Sequence, residues 1–391
     1  MKNKLRRNNW LIAVVLLVLA PFSLAQLGRI EFAFGGAYVF EIGIFLLVTL
    51  NAQKLILSLA RRFKNSKSSS KLMLGWLILL TLAGCLNSES IVPFLYVSRY
   101  FFYGLFAYLL ATQMPKLQQK KLPSLILITG IFMTFLGLLQ YVFLPDTRFL
   151  RSLGWDDHYY RVIGTLLDPN YFGMLIILTV SLTFSLQKKL IQKALWFIVS
   201  FLLSMLALTY SRSSYLAGIV FLSLVTFVSK SKRLASMIVS ALAVSALVFV
   251  VAPKPGGEGM DLLRTSTIES RISHEKEVVA DANILQVLAG KGMFASDSPK
   301  NSSSDLPNHA KQPNSIFTLV YSSSGILGLL IATFFIIKFL ARLYKKDKYI
   351  TLGLVALIVH ASFNNSVLEP ILALFWLLLV AVVEIKARNE Y

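Results

Sequence analysis

The chain has 391 residues, a formal net charge of +20, 56% hydrophobic residues and only 15% charged residues. That balance excludes a soluble globule with a polar shell and reads as an integral membrane protein. The lone cysteine, Cys85, excludes an internal disulfide framework and any multi-thiolate metal site.

Apolar runs long enough to cross about 30 Å of hydrocarbon as helices recur along nearly the whole length, and helices are the solution a lipid solvent imposes on the backbone. The segmentation predicts about twelve spans, at 10–27, 37–59, 72–88, 91–113, 123–144, 168–186, 191–209, 213–229, 234–252, 314–340, 350–368 and 370–385. The first run follows MKNKLRRNN in the manner of a signal peptide, but the many spans after it favour an uncleaved first helix. LAGC at 82–85 has the form of a lipoprotein box, yet it lies inside the third span and is read as a small-residue packing face. Glu41 and Arg99 fall inside the second and fourth spans, where an uncompensated charge costs at least about 2.5 kcal/mol. A structural ion pair between them is expected, with a place for Arg99 in a substrate groove as the alternative.

With the amino terminus inside, the cytoplasmic pieces are MKNKLRRNN, RRFKNSKSSSK, MPKLQQKK, QKKLIQK, KSKR, RLYKKDK and KARNEY, which hold 24 of the 39 Lys and Arg residues. The positive-inside rule therefore places both termini in the cytoplasm, and the net charge records topology, not a nucleic-acid partner. Two longer connections fall outside, 145–167 and 253–313. The middle of the second, ESRISHEKEVVADANILQVLAG, has helix-compatible spacing and is expected to lie as a helix on the outer surface. No sequence repeat suggests an inverted-repeat transporter.

This topology gathers the unusual polar residues on the external face. DDHYYRVIGTLLDPNYFG carries Arg161, Asp168 and Asn170; TYSRSSYLAG carries Ser211 and Arg212; the large loop carries Arg271; and the tenth span opens with Asn314 and Ser315. Arginine suits a phosphate-rich ligand because its planar fork stays charged and makes paired hydrogen bonds. A competing reading leaves these arginines at the lipid headgroups, and for Arg148 and Arg151 that reading is preferred. Asp168, just before a proline at a helix start, also reads as a helix N-cap. His360, beside Asn364 and Asn365, reads as a packed helix-to-helix hydrogen bond.

The runs RVIGTLLDPNYFG, TYSRSSYLAG, SRISHEKEVVADANILQVLAGKG and PNSIFTLVYSSSGILGLL, in this order, resemble the O-antigen ligase and O-antigen polymerase superfamily of bacterial envelopes. The resemblance covers roughly residues 160–340, and each motif is short and degenerate. It implies a metal-independent membrane glycosyltransferase of the GT-C type, without cofactor, acting on glycans carried by undecaprenyl diphosphate in the bacterial cytoplasmic membrane. It also implies pathway partners such as a chain-length regulator and a flippase. By position, Arg161, Arg212 and Arg271 match the family's functional arginines. In the ligase branch the tenth-span motif begins with a His; here that position holds Asn314, followed by Ser315 and, at the family's spacing, Gly325 and Gly328. Asparagine cannot act as a base, so the polymerase branch is favoured over the ligase. His309, His274 and His158 remain weaker candidates for a base in nearby loops. The whole is expected to be one all-α transmembrane domain, 1–391, with the loop 253–313 inside it. A transporter or flippase of the same lipid-linked sugars is the rival from another class, and it predicts more polar residues within the spans than the few found here.

Overall fold

The computed structural model describes residues 10–32, 35–64, 68–88, 91–256, 273, 275–276, 282–294 and 313–389. Each of the twelve expected segments contains helix, although 37–38 are strand and the helix in 350–368 ends at Ala361. Seven helices among the described residues are long and apolar enough to cross a membrane, and eight if one bent pair counts as a span; four more apolar helices are shorter. The protein is a multi-span helical bundle.

The first helix, α1 (Trp10–Gly28), loosens into a π-turn at Val15–Leu19 and passes into a two-stranded antiparallel ribbon, β1 (Arg29–Phe32) and β2 (Gly35–Tyr38), with Arg29 opposite Tyr38. This ribbon is absent from the all-helical expectation, because four-residue strands leave no periodicity to read. The expected second span is also corrected. It is two helices, α2 (Val39–Leu50) and α3 (Ala52–Lys64), which meet at 72°. Asn51 leaves helical geometry between them and turns its side-chain amide back to the Leu47 carbonyl at 2.9 Å, as a polar side chain does when it competes with the helical ladder.

Next come α4 (Ser68–Ser88), α5 (Val92–Thr112), α6 (Leu122–Phe143) and α7 (Pro169–Ser185). They are followed by α8 (Gln192–Ala207), α9 (Arg212–Ser229) and α10 (Lys232–Val251). A short α11 (Ile284–Ala289) precedes α12 (Ile316–Tyr344), α13 (Lys348–Ala361) and α14 (Pro370–Asn389).

Helix α7 is the axis of the bundle, with every residue from Phe172 to Phe184 buried. Lipid tails are as apolar as leucine, so helices in a membrane gain by close packing more than by escaping solvent. That packing is visible at three glycines. A Cβ on Gly173 of α7 would sit 2.5 Å from the Ser214 hydroxyl of α9, one on Gly353 of α13 2.5 Å from the Ser181 hydroxyl, and one on Gly130 of α6 2.5 Å from the Thr179 hydroxyl. The buried hydroxyls of α7 satisfy themselves on their own helix: Thr179 donates to Leu175 O at 2.8 Å and Thr183 to Thr179 O at 2.8 Å.

Polar links identify the two ends. At the basic end Lys386 of α14 reaches Asp347, which caps α13, and the Ser185 hydroxyl of α7 at 2.8 Å, while Arg388 donates to Ala111 O of α5 at 2.8 Å. Glu384 holds Lys346 at 2.6 Å and Arg342 at 3.1 Å. The starts of α7, α9 and α14 and the ends of α6, α8 and α13 meet at the opposite end, where the candidate site residues lie.

Candidate functional site

Two chain segments build this end, 158–171 and 208–214. Val162 N donates to Leu208 O at 3.0 Å. Beside it the Arg161 guanidinium spans the next turn: Nε donates to Thr209 O at 3.0 Å and an Nη to Tyr210 O at 3.2 Å. Arg161 thus grips the two residues that lead into Ser211 and Arg212. Ser211 is the N-cap of α9, its hydroxyl accepting from Ser214 N at 3.3 Å, so Arg212 occupies the first helical position. A helix start presents N–H groups without intrahelical acceptors and a partial positive charge, which favours an anion there. Arg212 adds a full charge at the same place.

Asp168 behaves as the cap its position suggests: one carboxylate oxygen accepts from Asn170 N at 2.7 Å and Tyr171 N at 2.9 Å. Asn170 ties α7 to α9, its side-chain carbonyl accepting from the Ser211 hydroxyl at 2.7 Å. The network runs on through Ser213, which accepts from the Asn364 amide at 2.7 Å. His360 is fully buried; its Nε2 lies 3.2 Å from both the Ser213 and Ser214 hydroxyls, and its Nδ1 lies 2.9 Å from Ser366. The helix-to-helix role expected for His360 is the one it plays.

Three non-glycine residues at this end adopt left-handed backbone angles: Tyr160 (φ 49°), Leu167 (φ 55°) and Tyr210 (φ 51°). Each immediately precedes a candidate residue: Arg161, Asp168 and Ser211 respectively. Such a conformation costs about 1–2 kcal/mol per residue, and strain of this kind concentrates where a side chain must be held in place for a task.

Glu369 was not singled out in the sequence. It is buried and caps α14 just as Asp168 caps α7, accepting from Leu372 N at 2.8 Å, with a weaker contact from the Gln26 amide at 3.4 Å. Burial raises its carboxyl to about 7; hydrogen bonds from the helix amides oppose this, Asp168 adds to it and Arg99 opposes it. The signal available in the sequence was the Glu-Pro pair, a twin of the Asp168-Pro169 pair. His158 is buried, with Nε2 lacking a partner among the described residues. Burial first, and the Arg161 charge second, lower it to about 4.

Arg99 forms the expected ion pair, Nε to Glu41 Oε1 at 2.7 Å, with each side chain only 16% exposed. Glu41 also accepts from Tyr38 N at 2.8 Å and from the Tyr103 hydroxyl, and the Arg99 guanidinium lies over the Tyr96 and Tyr38 rings. The charge is therefore compensated within the bundle. Arg148 is paired in a forked contact with Asp146 at 2.9 and 2.6 Å.

The Gly325-x-x-Gly328 motif has a structural job. Gly325 has φ 63° and breaks the helical ladder of α12. Two carbonyls beside the break, Ser322 O and Ser323 O, accept from Lys291 N at 2.7 Å and Gly292 N at 3.0 Å, while Met293 N donates to Leu80 O of α4 at 2.8 Å. The segment 283–294 is thereby wedged between α4 and α12, so closely that a Cβ at Gly325 would sit 2.2 Å from the Leu288 carbonyl carbon. Phe294 ends the wedge, 5.4 Å from the Tyr96 ring and 6.1 Å from the Tyr100 ring.

Arg161, Asp168, Asn170, Ser211 and Arg212 are thus brought to one end of the bundle. Ser315 caps α12, and its N donates to Glu275 Oε1 at 3.0 Å; Asn314 precedes it. Arg271, His274 and His309, with most of the loop 253–313, lie outside the described residues. Among the described residues no group of three or more His, Cys, Asp or Glu side chains could hold a metal ion. Neither protein-family models nor curated protein sequences match this chain.

Proposed function

We propose that this protein is a membrane glycosyltransferase that polymerises oligosaccharide units carried on a polyprenyl diphosphate, undecaprenyl diphosphate in a bacterial cytoplasmic membrane. The chain would cross the membrane twelve times with both termini in the cytoplasm, and the site would face out. The observation that carries this is the Arg161 grip on the 209–210 turn, which sets Arg212 at the start of α9 under a strained backbone. Rigid positive charge at a helix start is what a departing diphosphate requires.

In the reaction the acceptor sugar hydroxyl attacks the anomeric carbon of the donor glycan. The bond from that carbon to the diphosphate oxygen breaks, and the diphosphate leaves with the electron pair. Arg212 and the α9 amides neutralise the growing charge, a preorganised effect that needs no strong acid. Arg161 acts as a positioning residue through the turn it grips. The hydroxyl proton needs an acceptor, and Glu369, with its carboxyl near 7, is suited to take it at neutral pH. It lies five residues beyond Asn364, whose amide holds Ser213 beside Arg212. The His360 ring is committed to three serines and is not needed as the base.

The test is to reconstitute the purified protein in liposomes with a polyprenyl-diphosphate-linked oligosaccharide. A ladder of longer glycans with release of polyprenyl diphosphate is expected. Movement of intact lipid-linked sugar between leaflets, without a ladder across several candidate units, would replace this assignment with the flippase.

A further inference from the structure

A surface depression lies at the other end of the bundle, far from the strained turns. It is a groove of about 760 Å³ between the starts of α8 and α10, within the range of small-ligand sites, roughly 300–1,000 Å³. Its chemistry is layered. Lys193 and Arg233, each the second residue of its helix and both exposed, stand at the rim with Ser236. Trp196, Phe197 and Met237, one helical turn further in, form the walls. The Trp196 indole N–H donates to the Ser240 hydroxyl at 2.9 Å, which fixes the ring across the α8–α10 seam. Phe197 is 67% exposed, so the groove opens sideways to lipid. No acidic residue lines it, and among the described residues no carboxylate pairs with Lys193 or Arg233.

Cations above an aromatic, apolar slot match a phospholipid phosphate above its acyl chain. Basic pockets between transmembrane helices hold anionic headgroups in this way, and an indole at the polar boundary anchors the depth. A soluble anion would use the rim and leave the apolar walls without purpose. We propose that this groove binds one anionic glycerophospholipid from the adjacent leaflet. Its phosphate lies between Lys193 and Arg233, and an acyl chain runs along Trp196, Phe197 and Met237. This site is independent of the glycosyltransferase assignment.

The full-length protein in nanodiscs of equal phosphatidylcholine and phosphatidylglycerol would be released into detergent and its retained lipids counted by native mass spectrometry. Wild type is expected to keep phosphatidylglycerol over phosphatidylcholine by about tenfold or more, the scale set by two basic residues at a membrane surface. Lys193→Gln/Arg233→Gln is expected to lose that preference. Lys54→Gln/Arg61→Gln, which removes the same charge from exposed positions on α3, is expected to keep it. No preference in wild type, equal loss in both double variants, or displacement of the lipid by millimolar inorganic phosphate would overturn the proposal. A readout on the wild-type fold is quenching by brominated phosphatidylglycerol: it should exceed quenching by brominated phosphatidylcholine, and the excess should vanish in Trp196→Phe. Equal quenching by the two lipids would count against it.

Discussion

Helices α7 and α12 are both strongly apolar, yet α7 is buried along its whole middle, whereas only 11% of the most apolar window of α12 is buried. Hydrophobicity does not separate them, because lipid and protein interior are equally apolar solvents. What separates them is where small and hydroxylated residues let neighbours approach. On α7 these occur along its length, at Gly173, Thr179 and Ser181. On α12 the close approaches fall at Ser322–Gly328, where one broken turn receives the 283–294 wedge. The inner region positions charge for the proposed chemistry, and the outer limb is attached through backbone shape. Changes in the first should act on turnover, and changes in the second on stability.

The largest expected effect is inner. Arg212→Ala should lower turnover by about 10²–10³, the usual loss of one preorganised charge-stabilising donor, with little change in thermal stability. Arg212→Lys keeps the charge but not the fork and should recover only part of the loss. Full activity in the Lys variant, measured as glycan extension rate, would remove forked diphosphate recognition from the account.

A pH profile sharpens the inner side further. The Glu369 carboxyl sits near 7 in the fold against an ordinary value of 4.5. Its ionised form is therefore disfavoured by folding: the cost is absent below about 4.5, grows between 4.5 and 7, and is complete above 7. Glu369→Gln should stabilise the protein by up to about 3 kcal/mol at pH 8 and by nothing at pH 4.5, seen in thermal unfolding. Turnover of wild type is expected to rise through about pH 7, and the same variant should abolish that rise. A stabilised variant with an unchanged activity profile would leave Glu369 as a cap alone.

The outer side is tested at Gly325. Its left-handed angle and the carbonyl 2.2 Å from a Cβ should make Gly325→Ala lose roughly 2–3 kcal/mol of stability, read as a lower unfolding temperature, with turnover per folded molecule retained. Loss of turnover without loss of stability would move the wedge from scaffold to site. Smallest of all, Arg148→Ala should leave both the unfolding temperature and the activity unchanged, because its pair with Asp146 is exposed.

The helical segments were legible in the sequence because a 20-residue apolar run has few alternatives in lipid. The Arg99–Glu41 pair and the Asp168 cap were legible for a similar reason, since a buried charge needs a partner and a residue before proline at a helix start needs an acceptor role. The bend at Asn51 and the ribbon at 29–38 were not, as each turns on a few local backbone angles. Arg161 and Arg212 could be marked as neighbours in function, but not that one grips the turn carrying the other: that contact is to backbone carbonyls, which no residue type announces. Glu369 escaped because a carboxylate between two spans looks like a loop charge until its burial is known. Gly325-x-x-Gly328 was visible as a motif, while its partner 283–294 is distant in the chain.

The central claim is that Arg161 acts by holding the turn that presents Arg212. It is tested most directly by a double-mutant cycle on glycan extension with Arg161→Ala, Arg212→Ala and the pair. Residues that act as a unit are strongly non-additive. The pair should therefore be no slower than Arg212→Ala alone, within a factor of about three. Losses that multiply, with the double variant slower by the full product of the two singles, would show two independent contributions and contradict the account.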